Sequence, residues 1–279
     1  MAASKVAFPS AGSARAAVLA RADEYADALA GAPLAAAKHG PLLLTGPEAL
    51  DPVVLAEIRR AVPYGGVVYV LGGTAALSPA IDTVLTTEHY KVVRIEGDTR
   101  YATAVAVALQ LGNPGTVFEA SGTDFPDGLT AGPAAISQGA AVLLTAGSRP
   151  APETTAYLAA HPGDVRFAIG GPAAQADPRA QILSGPDRYT TSAAVAGRFF
   201  VTPAVIGAAT GSNFPDALAA GPALGTSGPL LLVPHAGAMP APMVQYLAAV
   251  HSGVRTLEVF GGTDAVAPAA VSALSRSLG

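Results

Sequence analysis

Two copies of an arginine–tyrosine pair are the residues of this sequence best suited to binding an anion. Arg100-Tyr101 and Arg188-Tyr189 lie 88 residues apart, each within a G-x-x-R-Y-x-T stretch. A guanidinium matches the oxygens of a phosphate or carboxylate with two parallel hydrogen bonds, and a tyrosine ring stacks on a sugar while its hydroxyl donates a hydrogen bond. The alternative is structural: each arginine pairs with an acid of a neighbouring repeat, and each tyrosine packs.

An aspartate also recurs at a fixed spacing. The stretch "GTDFPDGLTAGPA" returns as "GSNFPDALAAGPA", which places Asp127 and Asp216 89 residues apart, and Asp27 stands in the same place in "ADEYADALA". The pattern predicts a helix start, with Asp124 or Asn213 as N-cap, a proline in the first turn and the aspartate at the third helical position. These aspartates therefore either start a helix, or orient the two arginines, or line a ligand groove.

No combination of residues typical of catalysis or of metal binding is visible. The five histidines have no H-E-x-x-H or i,i+4 spacing, no G-x-S-x-G is present, and the chain has no cysteine. We therefore predict a protein that is not an enzyme and holds neither a metal nor a cofactor. Thr103 and Thr191 are expected to cap a helix or to hydrogen-bond locally. The candidate ligand-binding residues are Arg100, Tyr101, Thr103, Asp127, Arg188, Tyr189, Thr191, Asp216 and Asp27.

The composition excludes several classes of partner. The 279 residues carry a net charge of −4, and 51% of them are hydrophobic, so neither nucleic acid nor an anionic membrane surface attracts the chain as a whole. The N-terminal residues lack the pattern of a signal peptide, and no apolar run is long enough for a membrane span. We expect a soluble chain without membrane insertion. No signal peptide is expected in these residues, and if the protein is secreted, its signal peptide has already been removed.

The strands and helices that must position these residues recur three times along the chain. Apolar runs "GPLLLT", "AAVLLT" and "GPLLLV" recur, and a glycine pair follows a predicted strand at Gly72-Gly73, Gly170-Gly171 and Gly261-Gly262. The glycine pairs favour tight strand-to-helix turns, with close approach to a phosphate as the alternative. Continuous apolar strands that alternate with helices predict a parallel sheet covered on both faces, the doubly wound α/β class.

The repeat period is about 90 residues, so three units fill the chain. We place repeat 1 at 1–93, repeat 2 at 94–181 and repeat 3 at 182–279. Repeat 1 is degenerate, because its G-x-x-R-Y motif would fall at or before residue 1. The links between repeats are short, so the three are expected to pack together.

This ordered set of motifs resembles the type 2 cell wall-binding repeat (CWB2) family of Gram-positive surface proteins. The resemblance rests on G-x-x-R-Y-x-T at 97–103 and 185–191, F-P-D-x-L at 125–129 and 214–218, the aliphatic strands and the three glycine pairs. It implies three Rossmann-like repeats packed as a pseudo-threefold trimer within one chain. It also implies a secreted protein at the cell wall or cell surface, held there without covalent bonds by an anionic secondary polymer of the teichoic-acid type, with an effector domain in some full-length members.

The leading hypothesis is therefore a non-catalytic binding module, in which the arginines contact charge, the tyrosines contact sugar and the aspartates organise the grooves. Groups repeated once per unit suit a repetitive polymer, because linked weak sites combine into high avidity. Two alternatives remain open. One is a cell wall hydrolase or another α/β enzyme that uses a sugar or nucleotide, and the other is a structural or adhesive surface-layer protein.

Overall fold

The structure is a computed structural model that describes all residues from 1 to 279. Eleven strands and thirteen helices alternate along the chain. The strands are β1 (Ala16–Arg21), β2 (Leu42–Thr45), β3 (Val67–Leu71), β4 (Lys91–Ile95), β5 (Thr116–Ser121), β6 (Ala141–Thr145), β7 (Val165–Ile169), β8 (Gln181–Leu183), β9 (Val205–Thr210), β10 (Leu230–Val233) and β11 (Thr256–Phe260). The helices are α1 (Ala2–Ala7), α2 (Ala26–Leu29), α3 (Gly31–Ala37), α4 (Pro52–Ala61), α5 (Pro79–Thr87), α6 (Arg100–Gln110), α7 (Pro126–Gln138), α8 (Pro152–Ala160), α9 (Gly170–Ala176), α10 (Arg188–Phe199), α11 (Pro215–Leu224), α12 (Ala241–Val250) and α13 (Pro268–Leu278). None of these helices has the length and apolar character that crossing a membrane requires.

The strands form three parallel sheets with the same order. The first sheet runs β2-β1-β3-β4, the second β6-β5-β7-β8 and the third β10-β9-β11. Every strand pair is parallel. The predicted α/β class, with three repeats of one doubly wound unit, is confirmed. The expected boundary at 93/94 falls within β4, and the one at 181/182 falls within β8. Each of these strands leads from one sheet to the first helix of the next repeat.

Each sheet has an outer core and contributes to a shared inner core. A cluster of 33 buried residues joins side chains from all three sheets, among them Val18, Phe118 and Leu232. Separate clusters lie between each sheet and its peripheral helices, as for Leu19 of the first sheet. The strands are apolar on both sides because both faces are covered. In β6, all five residues are buried.

Three central helices, α3, α7 and α11, pack against each other around one axis. Small residues allow their close approach, since a Cβ added to Gly132 would lie 3.2 Å from the Cβ of Ala32, and one added to Gly221 would lie 3.1 Å from the same atom. The first helix of each repeat packs against the central helix of the repeat before it: α10 contacts α7, α6 contacts α3, and α1 contacts α11. The contact of α1 with α11 closes the ring, which is the predicted pseudo-threefold arrangement.

The predicted helix start at the repeated aspartates is partly wrong. The helix α7 begins at Pro126 with Phe125 as its N-cap, and no side chain caps it. The carboxylate of Asp124 accepts a hydrogen bond from the N–H of Phe125, just outside the helix, and Asn213 does the same for Phe214. The helix thus starts one residue later than expected and Asp127 is its second residue, although Phe125 already has helical dihedral angles. A proline in the first turn is as predicted, and it occupies the first helical position.

Candidate functional site

The recurring residues gather at the carboxyl ends of the strands. The loops after β1, β5 and β9 meet there with the turns after β3, β7 and β11, next to the first residues of α6 and α10. Ligands of doubly wound proteins bind at this end of the sheet, where loops diverge and helices begin. This carboxyl-end face is therefore the candidate site.

An aromatic triad lies at the centre of this face. Tyr25, Phe125 and Phe214 come from the equivalent loop of each repeat, and their ring centroids are 5.6–5.7 Å apart. Edge-to-face and tilted pairs at this distance are favourable beyond the area that they bury. The triad joins the three repeats at the axis. The sequence carries its signal, since an aromatic residue stands two positions before each repeated aspartate, but the rings meet only once the repeats have packed.

Each arginine of the G-x-x-R-Y motif spans an interface between two repeats. Arg100 donates a hydrogen bond to the carbonyl of Gly122 at 2.8 Å, lies 4.0 Å from Glu24 and sits over the ring of Tyr25. Arg188 repeats this arrangement one interface further on: it donates to the carbonyl of Gly211, lies 3.7 Å from Asp124 and sits over Phe125. The two side chains remain 35% and 34% exposed. Their acidic partners are Glu24, which the sequence pattern did not single out, and Asp124, which it singled out only as a helix cap.

The third interface is built differently. The position of Glu24 and Asp124 is taken by Asn213, which carries no charge. An open cleft of about 630 Å³ lies there, between α1 and the end of β11, and Asp216 and Glu258 are among its lining residues. A neutral residue thus stands at this interface where the other two interfaces have an acid.

Each repeated aspartate lies against the first glycine of the glycine pair in its own repeat. A Cβ added to Gly170 would lie 1.9 Å from Oδ2 of Asp127, and the same contact would measure 2.4 Å at Gly72 and 2.8 Å at Gly261. All three glycines have positive φ. The glycine is thus required both for the turn and for the space that the carboxylate fills.

Two of these aspartates have a raised pKa. For Asp127, burial is the largest cause, the charge of Asp124 adds to it and the charge of Arg188 opposes it, and together they raise the pKa to about 6. Burial also raises the pKa of Asp27, opposed by a hydrogen bond from Thr103 and by the charge of Arg100. The side chain of Asp216 is exposed and lines the cleft.

The tyrosines and threonines of the motif make local contacts. Cε1 of Tyr101 lies 2.8 Å from where a Cβ of Gly122 would be, and Tyr189 packs in the same way on Gly211. The buried hydroxyl of Thr103 accepts a hydrogen bond from the N–H of Gly97 at 3.2 Å. Thr191 and Gly185 make the equivalent bond at 3.0 Å. These contacts hold the motif loop against the first turn of the helix. Eight of the nine predicted residues come together around two of the three interfaces, and Asp216 lies at the third.

Comparison with known proteins gives a consistent set of relatives. A family model described as Cell wall binding domain 2 (CWB2) matches residues 2–82, 94–177 and 182–271. The chain is 25% identical over 209 residues to the N-acetylmuramoyl-L-alanine amidase LytC of Bacillus subtilis (strain 168), covering 73% of this chain and 42% of the relative. It is 30% identical over 128 residues to the Amidase enhancer of the same organism, covering 46% of this chain and 18% of the relative.

Two solved structures share the fold. Cwp8 from Clostridium difficile superposes with a TM-score of 0.87 at 23% identity, covering 99% of this chain and 49% of that chain. Cwp6 from Clostridium difficile gives a TM-score of 0.87 at 20% identity, covering 99% of this chain and 45% of that chain. The chain thus spans less than half the length of each of these relatives.

Proposed function

Since the chain belongs to the Cell wall binding domain 2 (CWB2) family and is a cell wall-binding module, we propose that it anchors a surface protein to an anionic secondary cell wall polymer of the teichoic-acid type, without catalysis. Its location is the cell wall or cell surface. The finer parts of this assignment, namely the charge of the polymer and the absence of catalysis, are proposals.

The observation that carries the proposal is the repetition of one partly open arginine site at two interfaces. Arg100 and Arg188 make matching contacts with a carbonyl, an acid and an aromatic ring, and each keeps about a third of its side chain in solvent. The fixed contacts orient the guanidinium, so less freedom is lost when it binds a phosphate or carboxylate. Two equal sites on a rigid body suit a polymer whose charges repeat.

We propose that the recurring arginines, tyrosines, threonines and aspartates form the contact with the polymer. Arg100 and Arg188 bind charge, Tyr101 and Tyr189 offer the exposed parts of their rings to sugar, and Thr103 and Thr191 hold the motif loop in place. The partly buried carboxylates of Asp127 and Asp27 hold the glycine turns that border each site, and Asp216 does so next to the open cleft. The division into repeats at 1–93, 94–181 and 182–279 is part of the same proposal.

A second proposal concerns the partner within a longer protein. The two curated relatives are named an amidase and an amidase enhancer, and the chain matches 42% and 18% of their lengths. We infer that a module of this kind serves an effector domain that acts on the wall. Any turnover of wall material would then belong to that domain.

The test uses purified cell walls before and after hydrofluoric acid treatment, which removes phosphodiester-linked polymers and leaves peptidoglycan. We expect saturable adsorption to untreated walls, a large loss after treatment and no release of soluble wall fragments. Equal adsorption to both preparations would contradict the anionic polymer, and fragment release would indicate an enzyme.

A double variant, Arg100→Ala with Arg188→Ala, tests the proposed contacts. It should weaken adsorption about threefold while Arg149→Ala, which removes a charge from the loop after β6 at the same end of the sheets, leaves it unchanged. Thermal unfolding of each variant is measured in parallel. A fall in stability that matches the fall in adsorption would show that the two arginines only join the repeats.

A further inference from the structure

The charged side chains are divided between the two ends of the sheets. Residues that precede a strand or end a helix lie at the amino ends of the strands, and residues that follow a strand or begin a helix lie at the carboxyl ends. Eleven of the 16 basic residues lie at the amino ends: Lys5, Arg15, Lys38, Arg59, Arg60, Lys91, Arg166, Arg179, Arg198, Arg255 and Arg276. Four of the 20 acidic residues lie there: Glu57, Glu88, Asp164 and Asp177.

The carboxyl-end face has the opposite balance, with five basic residues and 14 acidic ones. The two remaining acids, Glu119 and Glu258, lie within strands. The amino-end face therefore carries an excess of seven positive charges, although the chain as a whole has a net charge of −4.

The amino ends of the three repeats form one surface. The bends after α3, α7 and α11 surround a depression of about 540 Å³ on the pseudo-threefold axis, lined by His39, Gly139 and Thr226 among others. This depression is at the opposite end of the central helices from the aromatic triad. The amino ends of the strands of all three repeats thus lie on the same side of the molecule.

Most of these basic residues have no acidic partner. Ion pairs join Arg59 to Glu88, Arg60 to Glu57 and Arg166 to Asp177. The other eight form no ion pair, and Arg15, Lys91, Arg198 and Arg255 are among the exposed ones. Their charge is available to a ligand in solvent.

Helix dipoles explain only part of this distribution. Arg198 and Arg276 lie in last turns of helices, where a positive charge is favourable in any protein. Arg15, Lys91 and Arg255, however, lie at the starts of strands and in no helix. A position within the last turn of a helix therefore does not explain the charge at these three residues.

We propose that the amino-end face is a binding surface for the anionic wall polymer and supplies most of the electrostatic attraction, an inference that rests on the proposed function. The six residues of β1 separate the two ends by about 20 Å, more than twice the screening length of about 8 Å in physiological salt. The acids of the carboxyl-end face therefore do not cancel the field at the amino ends. A polyanion long enough to reach Arg100 and Arg188 is drawn first to this opposite surface.

The experiment compares two triple variants with the same change in charge. One is Arg15→Gln, Lys91→Gln and Arg255→Gln at the amino ends, and the other is Arg100→Gln, Arg149→Gln and Arg188→Gln at the carboxyl ends. Adsorption of the full chain to purified walls is measured in about 50 mM and about 500 mM NaCl. We expect the amino-end triple to lose about tenfold in affinity and to depend less on salt than the wild type, and the carboxyl-end triple to lose about threefold.

A charge-retaining control, Arg15→Lys, Lys91→Arg and Arg255→Lys, should restore binding if charge alone is recognised. An amino-end triple that binds as the wild type does would overturn the proposal, and so would an equal loss in both triples, since that would show an effect of net charge only. The two proposals fail separately. Equal wild-type binding to walls treated with hydrofluoric acid contradicts the polymer itself, whereas polymer-dependent binding that ignores the amino-end triple contradicts only the choice of face.

Discussion

Replacement of Glu119 should make the protein more stable and remove a dependence of stability on pH. Glu119 lies in β5 and is 2% exposed, and its Oε1 has no hydrogen-bond partner. The equivalent positions in the other two repeats are Leu19 of β1 and Ala208 of β9. One repeat therefore keeps a carboxyl group where the other two keep apolar side chains.

The expected size of the effect follows from the pKa of this carboxyl. Burial, aided by the neighbouring carboxyl group of Asp177 and opposed by the charge of Arg166, raises the pKa of Glu119 to about 8. The unfolded chain has the ordinary pKa of about 4.5, so between these two values the folded protein binds one more proton than the unfolded protein. Stability must then fall as the pH rises from about 4.5 to about 8, by roughly 5 kcal/mol at about 1.4 kcal/mol for each pKa unit.

The assay is urea unfolding followed by far-ultraviolet circular dichroism from about pH 5 to about pH 9. Glu119→Gln is the matched control, since it keeps the size of the side chain and cannot ionise. Subtracting its free energy of unfolding from that of the wild type isolates the titration of Glu119 from all other groups. We expect the free energy of unfolding of the wild type to fall relative to that of Glu119→Gln as the pH rises. We expect Glu119→Leu to be the most stable of the three proteins at about pH 9. A difference that stays constant with pH would refute the reasoning, because it would show that Glu119 is ionised and solvated in the folded protein.

Three further substitutions test contacts at the carboxyl-end face. Gly170→Ala should lower the free energy of unfolding by at least about 2 kcal/mol, because the φ of Gly170 is positive and the new Cβ would overlap Asp127. The control Gly171→Ala should change it by less than about 0.5 kcal/mol. Equal effects of the two substitutions in thermal unfolding would be inconsistent with the contact between Gly170 and Asp127. Asp127→Asn should flatten the decline in stability between about pH 4 and about pH 6, and an unchanged pH profile would show that this carboxyl is not desolvated. Phe125→Ala should cost about 2–3 kcal/mol and Tyr64→Ala, which is 77% exposed, almost nothing; no difference between these two in urea unfolding would remove the triad as a link between repeats.

The sequence was sufficient for the architecture because each repeat carries its own local signals. The run "AAVLLT" is a buried strand in any environment that covers both of its faces, and the glycine pairs turn the chain wherever they occur. Three copies of the same order of motifs then left little choice of fold. The positions of the strands and central helices follow from periodicity alone.

The contacts between repeats could not be predicted in the same way. The partner of Arg188 is Asp124 rather than one of the repeated aspartates, because the first turn of α10 docks on the loop that precedes α7. Repetition draws attention to Asp127, yet its constancy reflects the close contact with Gly170 within one repeat. The separation of charge between the two ends was also hidden, since basic and acidic residues alternate along the sequence and are sorted only by the directions of the strands.

The most direct test of the central claim is a calorimetric titration of the full chain with wall polymer released intact from purified walls. We predict saturable binding that weakens steeply with added salt and disappears when the polymer has been treated with hydrofluoric acid. Binding that is unaffected by salt or by this treatment, or the absence of any binding, would contradict the assignment of the chain as a module for an anionic wall polymer.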